Sequence, residues 1–439
     1  MTRTVRRFLI SFVLLATMVA SPAAAGTRVI VRTSLGLPGL QSVCSLLGCK
    51  VNYGLGDPLN QVFLITSPDL IGVSTFLKLI SNVLGIVTAE VDVRGDVMQS
   101  GSASGIPAAL NDRAPVSYYG TSVWHGYVDQ PATRLVRLAQ TQAAFHTDGN
   151  GVVAVIDTGV DTSHPALAPV LLPGYDFTRN RDSADEKGDL QQETAGVVDT
   201  NAPAVWVNQE TAGVVDQETA GVVDTTKYAA FGHGTMVAGV IHLVAPKAYI
   251  LPLKAFKADG SGYSSDVIRA IYRAVQQNAK VINMSFSFDG SSPELSRAIT
   301  HANQSNVIAI ASAGNDGRRI SQYPASYADR VMGVASTTNS DTRSSFSNYG
   351  PPLVWVTAPG EGVVTLYPFG SYAAAWGTSF SAPFASGAAA LLLDVNLGAD
   401  VADAASAIAH AKYINSDLGK GRLDLYQAVS AWRQTLGIK

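Results

Sequence analysis

The chain has 439 residues, of which 47% are hydrophobic and 15% charged, and its formal net charge is −3. This length predicts two or three folding units with ample hydrophobic core. Basic runs and interleaved basic and aromatic residues are missing from the sequence, which argues against nucleic acid as a partner. The only cysteines are Cys44 and Cys49. Beyond these two positions the chain therefore offers no thiol nucleophile and no Cys-ligated zinc site.

The first 25 residues have the layout of a secretory signal peptide. Arg6 and Arg7 precede an apolar stretch over residues 8–19, and three alanines at 23–25 offer a cleavage site before Gly26. An uncleaved anchor is the alternative, although the apolar stretch is short for a bilayer span. No later segment has about twenty consecutive apolar residues. We therefore expect a secreted monomer, extracellular or periplasmic, without a membrane anchor.

Residues 26–98 are predicted to form a small α+β unit. Strand, helix, two strands, helix and strand follow one another, which is the order of a ferredoxin-like sandwich. Asp69 is placed to cap the second helix after Pro68. Positions of that helix follow a 3.6-residue period at Leu70, Ile71, Ser74, Leu77 and Ile80. The unit contains no histidine, so we expect a folding or inhibitory module and not a catalytic one.

Two interpretations are open for the cysteines of this unit. Cys44 and Cys49 could form a disulfide in an oxidising compartment. They could equally be two small buried side chains, because a gap of four residues within or just after a helix need not meet disulfide geometry. Residues 99–130 follow, rich in Ser, Gly, Pro and Asn, and are predicted to be a linker that contains a processing site.

From residue 131 to residue 435, apolar strands alternate with amphipathic helices. This pattern predicts an α/β domain of three layers, with a parallel sheet covered by helices on both faces. The run "VVAVI" suits a central strand and ends at Asp157, so a carboxylate lies at the carboxyl end of a strand. Ser292, Pro293 and Glu294 predict the start of a helix.

The octapeptide "QETAGVVD" occurs three times, at 192–199, 209–216 and 217–224. We interpret residues 182–226 as an acidic loop insertion that arose by tandem duplication, the alternative being a dedicated binding element. The acids that precede the repeats are expected to lie in a solvated loop and not to form a metal site. They are Asp182, Asp185, Glu186 and Asp189.

Four polar residues could together perform acyl transfer. A serine such as Ser379 is a poor nucleophile until a base takes its proton, and His233, flanked by glycines, could be that base. Asp157 could hold the imidazole in the right tautomer. Asn315 and the backbone N–H of Ser379, at a helix N-terminus, could donate to an oxyanion.

The segments "VAVIDTGVDTSHP", "GHGTMVAGV" and "GTSFSAP" resemble, in this order, the three catalytic blocks of the subtilisin-like serine peptidases, the subtilase family. "AGN" is similar to the family's oxyanion block, and the resemblance covers roughly residues 130–430. It implies a three-layer α/β/α catalytic domain, hydrolysis of peptide bonds and a ferredoxin-like pro-domain. It further implies Ser379 as nucleophile, His233 as general base, Asp157 as its orienting partner and Asn315 as oxyanion donor.

The same resemblance implies the substrate-binding residues. Two backbone strands would pair with the substrate, and a third segment would line the pocket next to Asn315. These residues are Gly260, Ser261, Gly262, Ser285, Phe286, Ser287, Ser312, Ala313 and Gly314. The expected partners are polypeptide substrates and the chain's own pro-domain, acting as an intramolecular inhibitor. No cofactor is required for the chemistry, and a structural calcium ion is an option that the family leaves open.

The sequence departs from the family at two positions. Phe380 stands after the nucleophile, where methionine is usual, and Ser287 stands where many members have glycine. A catalytically silent binding protein on the same scaffold is the main rival, disfavoured because all four polar residues are intact. An aspartic peptidase would need a second "DTG", and the chain has only one.

Overall fold

The structure is a computed structural model that describes residues 26–69, 71–97, 105–190, 211–212 and 228–438. The predicted signal peptide therefore lies outside the described residues. So do the acidic repeats, apart from residues 211–212.

Nineteen strands and eleven α-helices occupy the described residues. Those of the N-terminal part are β1 (Arg28–Thr33), α1 (Gly36–Leu47), β2 (Lys50–Gly54), β3 (Val62–Thr66), α2 (Val73–Ser81), β4 (Ile86–Val91), β5 (Arg94–Asp96), β6 (Pro115–Tyr118), β7 (Thr121–Trp124), α3 (His125–Val128), α4 (Pro131–Leu135) and α5 (Leu138–Phe145). The remaining elements are β8 (Val152–Asp157), β9 (Tyr175–Asp176), β10 (Arg181–Asp182), β11 (Thr211–Ala212), α6 (His233–Val244), β12 (Tyr249–Lys254), β13 (Ser261–Tyr263), α7 (Ser264–Gln276), β14 (Val281–Met284), α8 (Pro293–Gln304), β15 (Ile308–Ser312), β16 (Met332–Thr337), β17 (Val356–Pro359), β18 (Val363–Tyr367), β19 (Ser371–Ala375), α9 (Thr378–Val395), α10 (Val401–Ile408) and α11 (Leu425–Thr435).

The N-terminal unit has the strand and helix order that the sequence predicts. Its four strands form an antiparallel sheet in the order β2-β3-β1-β4, with α1 and α2 in the crossovers. Alternate side chains of β1 and β3 meet both helices in one core of Val29, Val31, Leu40, Val43, Cys44, Phe63, Ile65, Phe76 and Ile80. Cys44 and Cys49 form a disulfide, which decides between the two interpretations.

The expected cap of the second helix is wrong. α2 begins at Val73 with Gly72 at the N-cap position, and no side chain caps it. Asp69 is exposed and lies three residues before that position. The 3.6-residue period is the same wherever the first turn begins, so the pattern alone did not fix the start.

The large sheet has eight strands in the order β10-β9-β12-β8-β14-β15-β16-β17. Every pair is parallel except β10 with β9. Val153 and Val155 of β8 face a core that includes α6 and α9, whereas Ala154 and Ile156 face a core that includes α7 and α8. Consecutive residues of one strand thus point into opposite helical layers, which is the predicted three-layer α/β/α architecture.

The prediction of a linker over residues 99–130 is wrong for the part that the structure describes. β6 and β7 form a hairpin, and α3 follows it directly. Tyr118 and Tyr127 are buried, and their hydroxyls donate to the carbonyls of Leu243 and Gly239 of α6. A polar, glycine-rich composition therefore hid a segment that packs on the core through a few aromatic side chains.

The acids before the repeats are not all solvated as expected. Asp182 is exposed, but Glu186 and Asp189 are buried. Within the described part of the chain, no three His, Cys, Asp or Glu side chains form a group that could hold a metal ion. Among the same residues, α9 has the length and hydropathy of a membrane span, and 89% of it is buried inside the protein.

The start of α8 agrees with the sequence prediction. Ser292 is its N-cap, with Pro293 and Glu294 in the first turn, and the Ser292 hydroxyl accepts a hydrogen bond from the Leu295 N–H at 3.0 Å. Glu294 is nevertheless buried, because it also pairs with Arg32 of β1 at 2.8 Å. The helix start is therefore also a contact with the N-terminal unit.

Candidate active site

Asp157 and His233 lie side by side, although 76 residues separate them in the chain. Asp157 is the last residue of β8, at the carboxyl edge of the sheet, and His233 is the first residue of α6. The distance from His233 Nδ1 to Asp157 Oδ1 is 2.7 Å, and both side chains are buried. Because a carboxylate only accepts, Nδ1 carries the proton and the ring presents Nε2 as the basic nitrogen.

The residue after His233 must be glycine, because the start of α6 lies very close to the loop that follows β8. A Cβ at Gly234 would lie 1.9 Å from the carbonyl oxygen of Gly159, in the loop that follows Asp157. Only glycine lets α6 begin this near to β8. The sequence "GHG" therefore brings the imidazole within hydrogen-bonding distance of the carboxylate.

Ser379 is the second residue of α9, so its backbone lies at a helix N-terminus. Its carbonyl accepts a hydrogen bond of 2.8 Å from the hydroxyl of Ser285. The ring of Phe380 lies 5.5 Å from the ring of His233, which puts this helix start beside the histidine. Ser381 points elsewhere, with its hydroxyl donating to the Pro359 carbonyl at 3.2 Å.

The side chain of Asn315 is fixed by hydrogen bonds from Thr378, the first residue of α9. Its Oδ1 accepts from the N–H of Thr378 at 2.9 Å and from the Thr378 hydroxyl at 2.8 Å. The hydroxyl oxygen in turn accepts from the N–H of Gly314 at 3.1 Å. With its carbonyl side fixed in this way, the amide group of Asn315 presents its N–H bonds on the opposite side. No local sequence pattern around Thr378 indicates this contact.

Two backbone edges flank these residues, and the N-terminal unit pairs with both. β5 pairs antiparallel with β13, with Asp96 opposite Ser261, and on its other side Asp96 bridges to Ser287. The Ser287 bonds measure 3.1 and 3.2 Å, and the N–H of Val97 donates to the Gly260 carbonyl at 3.1 Å. A strand bound between two strands is the geometry of peptide recognition by strand addition.

The other residues expected at the substrate site contribute backbone or packing. Phe286 turns its side chain inward, with its ring 4.8 Å from that of Phe256. A Cβ at Gly262 would lie 2.5 Å from the Ala255 carbonyl, so glycine is needed at this edge. Ser312 is the last residue of β15, and Ala313 and Gly314 lead from it directly into Asn315.

One buried carboxylate next to these residues had no sequence signal. Glu186 accepts hydrogen bonds from Thr158, Gly232 and Thr235, which adjoin Asp157 and His233. Burial raises the pKa of Glu186 to about 8. The residue lies outside every motif that the sequence analysis identified, and nothing in the local pattern around it indicates burial.

Comparisons with known proteins agree with this arrangement. The subtilase family of peptidases, S8, matches residues 148–428. Thermitase of Thermoactinomyces vulgaris is 32% identical over 308 residues, which cover 67% of this chain and 94% of thermitase. Subtilisin DY of Bacillus licheniformis is 34% identical over 211 residues, 45% of this chain and 75% of subtilisin DY. The thermophilic serine proteinase of Bacillus sp. strain AK1 is 33% identical over 240 residues, 55% of this chain and 51% of its own length. The chain therefore belongs to the subtilase family and is a serine-type endopeptidase.

Proposed function

We propose that the chain is a secreted endopeptidase that hydrolyses polypeptides with Ser379 as nucleophile, His233 as general base and acid, and Asp157 as the group that orients His233. The observation that carries this proposal is the 2.7 Å hydrogen bond between His233 and Asp157, at the edge of the sheet where α9 begins with Ser379. Family membership supplies the reaction class, and the contacts supply the roles.

In the first step, His233 Nε2 takes the proton of the Ser379 hydroxyl while the oxygen attacks the carbonyl carbon of the scissile bond. The imidazolium that forms is stabilised by the Asp157 carboxylate. His233 then gives the proton to the departing amine, which leaves an acyl group on Ser379. Water, activated by the same histidine, hydrolyses the ester and restores the serine.

In this proposal, two groups donate hydrogen bonds to the carbonyl oxygen when it becomes negatively charged. One is the amide group of Asn315, and the other is the backbone N–H of Ser379. Thr378 holds the Asn315 carbonyl with two hydrogen bonds, so the amide needs no reorganisation when the charge develops. Such preorganised donors stabilise the transition state more than the bound substrate.

We infer that residues 26–98 act as a pro-domain that inhibits the enzyme intramolecularly. β5 occupies the strand position that a substrate would take between β13 and residues 285–287. Two carboxylates of the same unit accept hydrogen bonds at the starts of helices of the large domain. Asp92 accepts from the Ser265 N–H at 2.8 Å at the start of α7, and Glu90 accepts from the Ser292 hydroxyl at 2.5 Å at the start of α8.

The register of β5 supports one processing site. Asp96 is opposite Ser287 in an antiparallel pairing, so β5 runs along this edge in the direction of Ser285. The hydroxyl of Ser285 contacts Ser379. We therefore infer that the precursor cleaves itself between Met98 and Gln99, residues that lie outside the described part of the chain.

Export rests on the sequence of residues 1–25, which resembles a secretory signal peptide. A disulfide between Cys44 and Cys49 fits an oxidising compartment. We propose a monomer outside the cytoplasm that needs no cofactor for its chemistry, with a structural calcium ion as an optional addition.

The experiment compares the wild-type chain, Ser379→Ala and Ser381→Ala, each secreted from the same host. We expect hydrolysis of casein to fall by about 10⁴-fold or more in Ser379→Ala, because the triad residues act as a unit. Ser381→Ala, which has no role in the proposal, should keep most of the activity. Intact mass should show a new N-terminus at Gln99 in the two active forms and an uncut junction in Ser379→Ala.

Two outcomes would contradict parts of the proposal. Casein hydrolysis that persists in Ser379→Ala would remove that serine from the mechanism. The same N-terminus at Gln99 in Ser379→Ala would show that another protease makes the cut.

A further inference from the structure

A single carboxylate links the two elements that carry Asp157 and His233. Glu186 is 1% exposed and follows β10 by four residues. Its Oε2 accepts from the Thr158 hydroxyl at 3.2 Å and from the Gly232 N–H at 3.0 Å, and its Oε1 accepts from the Thr235 hydroxyl. Thr158 follows Asp157, whereas Gly232 and Thr235 belong to the first turn of α6 around His233.

The hydroxyls of Thr158 and Thr235 each make a second hydrogen bond between the same two elements. Each hydroxyl has one proton, which it gives to Glu186, so its oxygen remains available as an acceptor. The Thr158 oxygen accepts from the Gly234 N–H at 3.0 Å, and the Thr235 oxygen accepts from the Asp161 N–H at 2.8 Å. Each bond again joins the loop after β8 to α6. The relative position of the two elements therefore depends on an acceptor at Glu186.

Charged groups on every side set the proton affinity of this carboxyl. Its pKa is raised to about 8, chiefly by burial and in smaller part by the negative charge of Asp157 on β8. The hydrogen bond from Thr235 and the charge of Lys254, at the end of β12, lower it. Lys254 is itself fully buried and donates to the Thr158 carbonyl at 2.6 Å. Tyr367 of β18 is a buried phenol whose pKa is raised by burial and by the Glu186 charge.

A fourth titratable side chain that adjoins this network is His233, which begins α6 directly after Gly232, the residue whose N–H donates to Glu186. A carboxylate near an imidazole favours its protonated form. In the active enzyme, where His233 begins neutral, the imidazolium forms as Ser379 loses its proton, so a charge on Glu186 would stabilise that state more than the starting state.

We propose that Glu186 is a positioning residue, which fixes His233 relative to Asp157 and stabilises the imidazolium without touching substrate. This inference rests on the proposed roles of Asp157, His233 and Ser379. It goes beyond them because it assigns a fourth side chain, from the segment immediately before the acidic repeats.

The test is the variant Glu186→Gln in the full chain, with Asp182→Asn as the matched control. Both changes remove one carboxylate from the same loop, but Asp182 is exposed. Above pH 8, where the wild-type carboxyl is ionised, we expect kcat of Glu186→Gln to be about ten- to hundredfold below that of the wild type, the effect of one charge-assisted hydrogen-bond network, with KM within about twofold. Asp182→Asn should match the wild type.

The pH profile separates positioning from a general loss of structure. Wild-type kcat should rise in two steps, first as His233 loses its proton and again near pH 8 as Glu186 ionises. Glu186→Gln should show the first step only. Thr235→Val removes one hydrogen-bond donor to the carboxylate and should therefore move the upper step to higher pH. This variant tests the proposal independently if Glu186→Gln does not fold.

A Glu186→Gln enzyme whose kcat above pH 8 equals that of the wild type would overturn the proposal. So would a folded variant with reduced kcat that keeps the step near pH 8, or an upper step at its original pH in Thr235→Val. The wild-type activity measured beside these variants tests the peptidase assignment separately, because the assignment fails only if the wild type itself is inactive.

Discussion

At the scale of single residues, the proposed oxyanion donor, Asn315, depends on a threonine next to the proposed nucleophile. Asn315 alone could rotate its amide by half a turn, because its oxygen and nitrogen sides have similar shapes. Thr378 removes that freedom, since its N–H and hydroxyl both donate to Oδ1. The sequence predicted Asn315 from its motif, but the contact joins residues 63 positions apart and no local pattern contains it.

We predict that Thr378→Val lowers kcat about fivefold and leaves KM within about twofold, because Asn315 loses one of the two hydrogen bonds that fix its Oδ1, a neutral bond of about 1 kcal/mol. The hydrogen bond from the Gly314 N–H to the same hydroxyl is lost as well. Thr378→Ser keeps the hydroxyl and should stay near the wild-type rate. The measurement is steady-state kinetics on a peptide amide substrate for all three forms. A rise in KM with unchanged kcat in Thr378→Val would show that the threonine acts on substrate binding instead.

At the scale of elements, the N-terminal unit supplies hydrogen-bond acceptors at the starts of two helices of the large domain, α7 and α8. The first N–H groups of a helix have no partner within it, and α7 has no side-chain cap of its own at Tyr263. Asp92 supplies that cap across 173 residues of sequence and is held by Arg28 at 2.7 Å. The order of strands and helices in this unit was predicted from the sequence, but the capping role of Asp92 depends on a contact with the large domain that no local pattern contains.

We predict that Asp92→Ala lowers the free energy of unfolding by about 1–2 kcal/mol, the usual effect of losing an N-cap. The measurement uses urea unfolding of the Ser379→Ala precursor, in which the proposed cut does not occur. Asp69→Ala is the control, because Asp69 is an exposed carboxylate of the same unit that does not cap α2, and it should change stability by less than about 0.5 kcal/mol. Equal effects of the two substitutions would contradict the capping role of Asp92.

At the scale of the whole molecule, the sequence predicted what lies in contiguous segments. The apolar strands, the α7 and α8 helices and the blocks around Asp157, His233 and Ser379 each carry their own pattern. The folded segment after Gly105 and the buried Glu186 were missed, because their burial depends on partners far away in the chain. Tyr127, for example, is buried, and its hydroxyl donates to the carbonyl of Gly239 of α6, which lies 112 residues further along the chain.

The central claim is that Ser379 is an activated nucleophile, and fluorophosphonate labelling tests it most directly. The purified, processed protein is labelled beside Ser379→Ala, and the modified peptide is located by mass spectrometry. We predict one phosphonate on Ser379 and none on that peptide in the variant. A folded and processed wild-type protein that takes no label, or takes it on another serine, would contradict the account and favour a catalytically silent protein on the same scaffold.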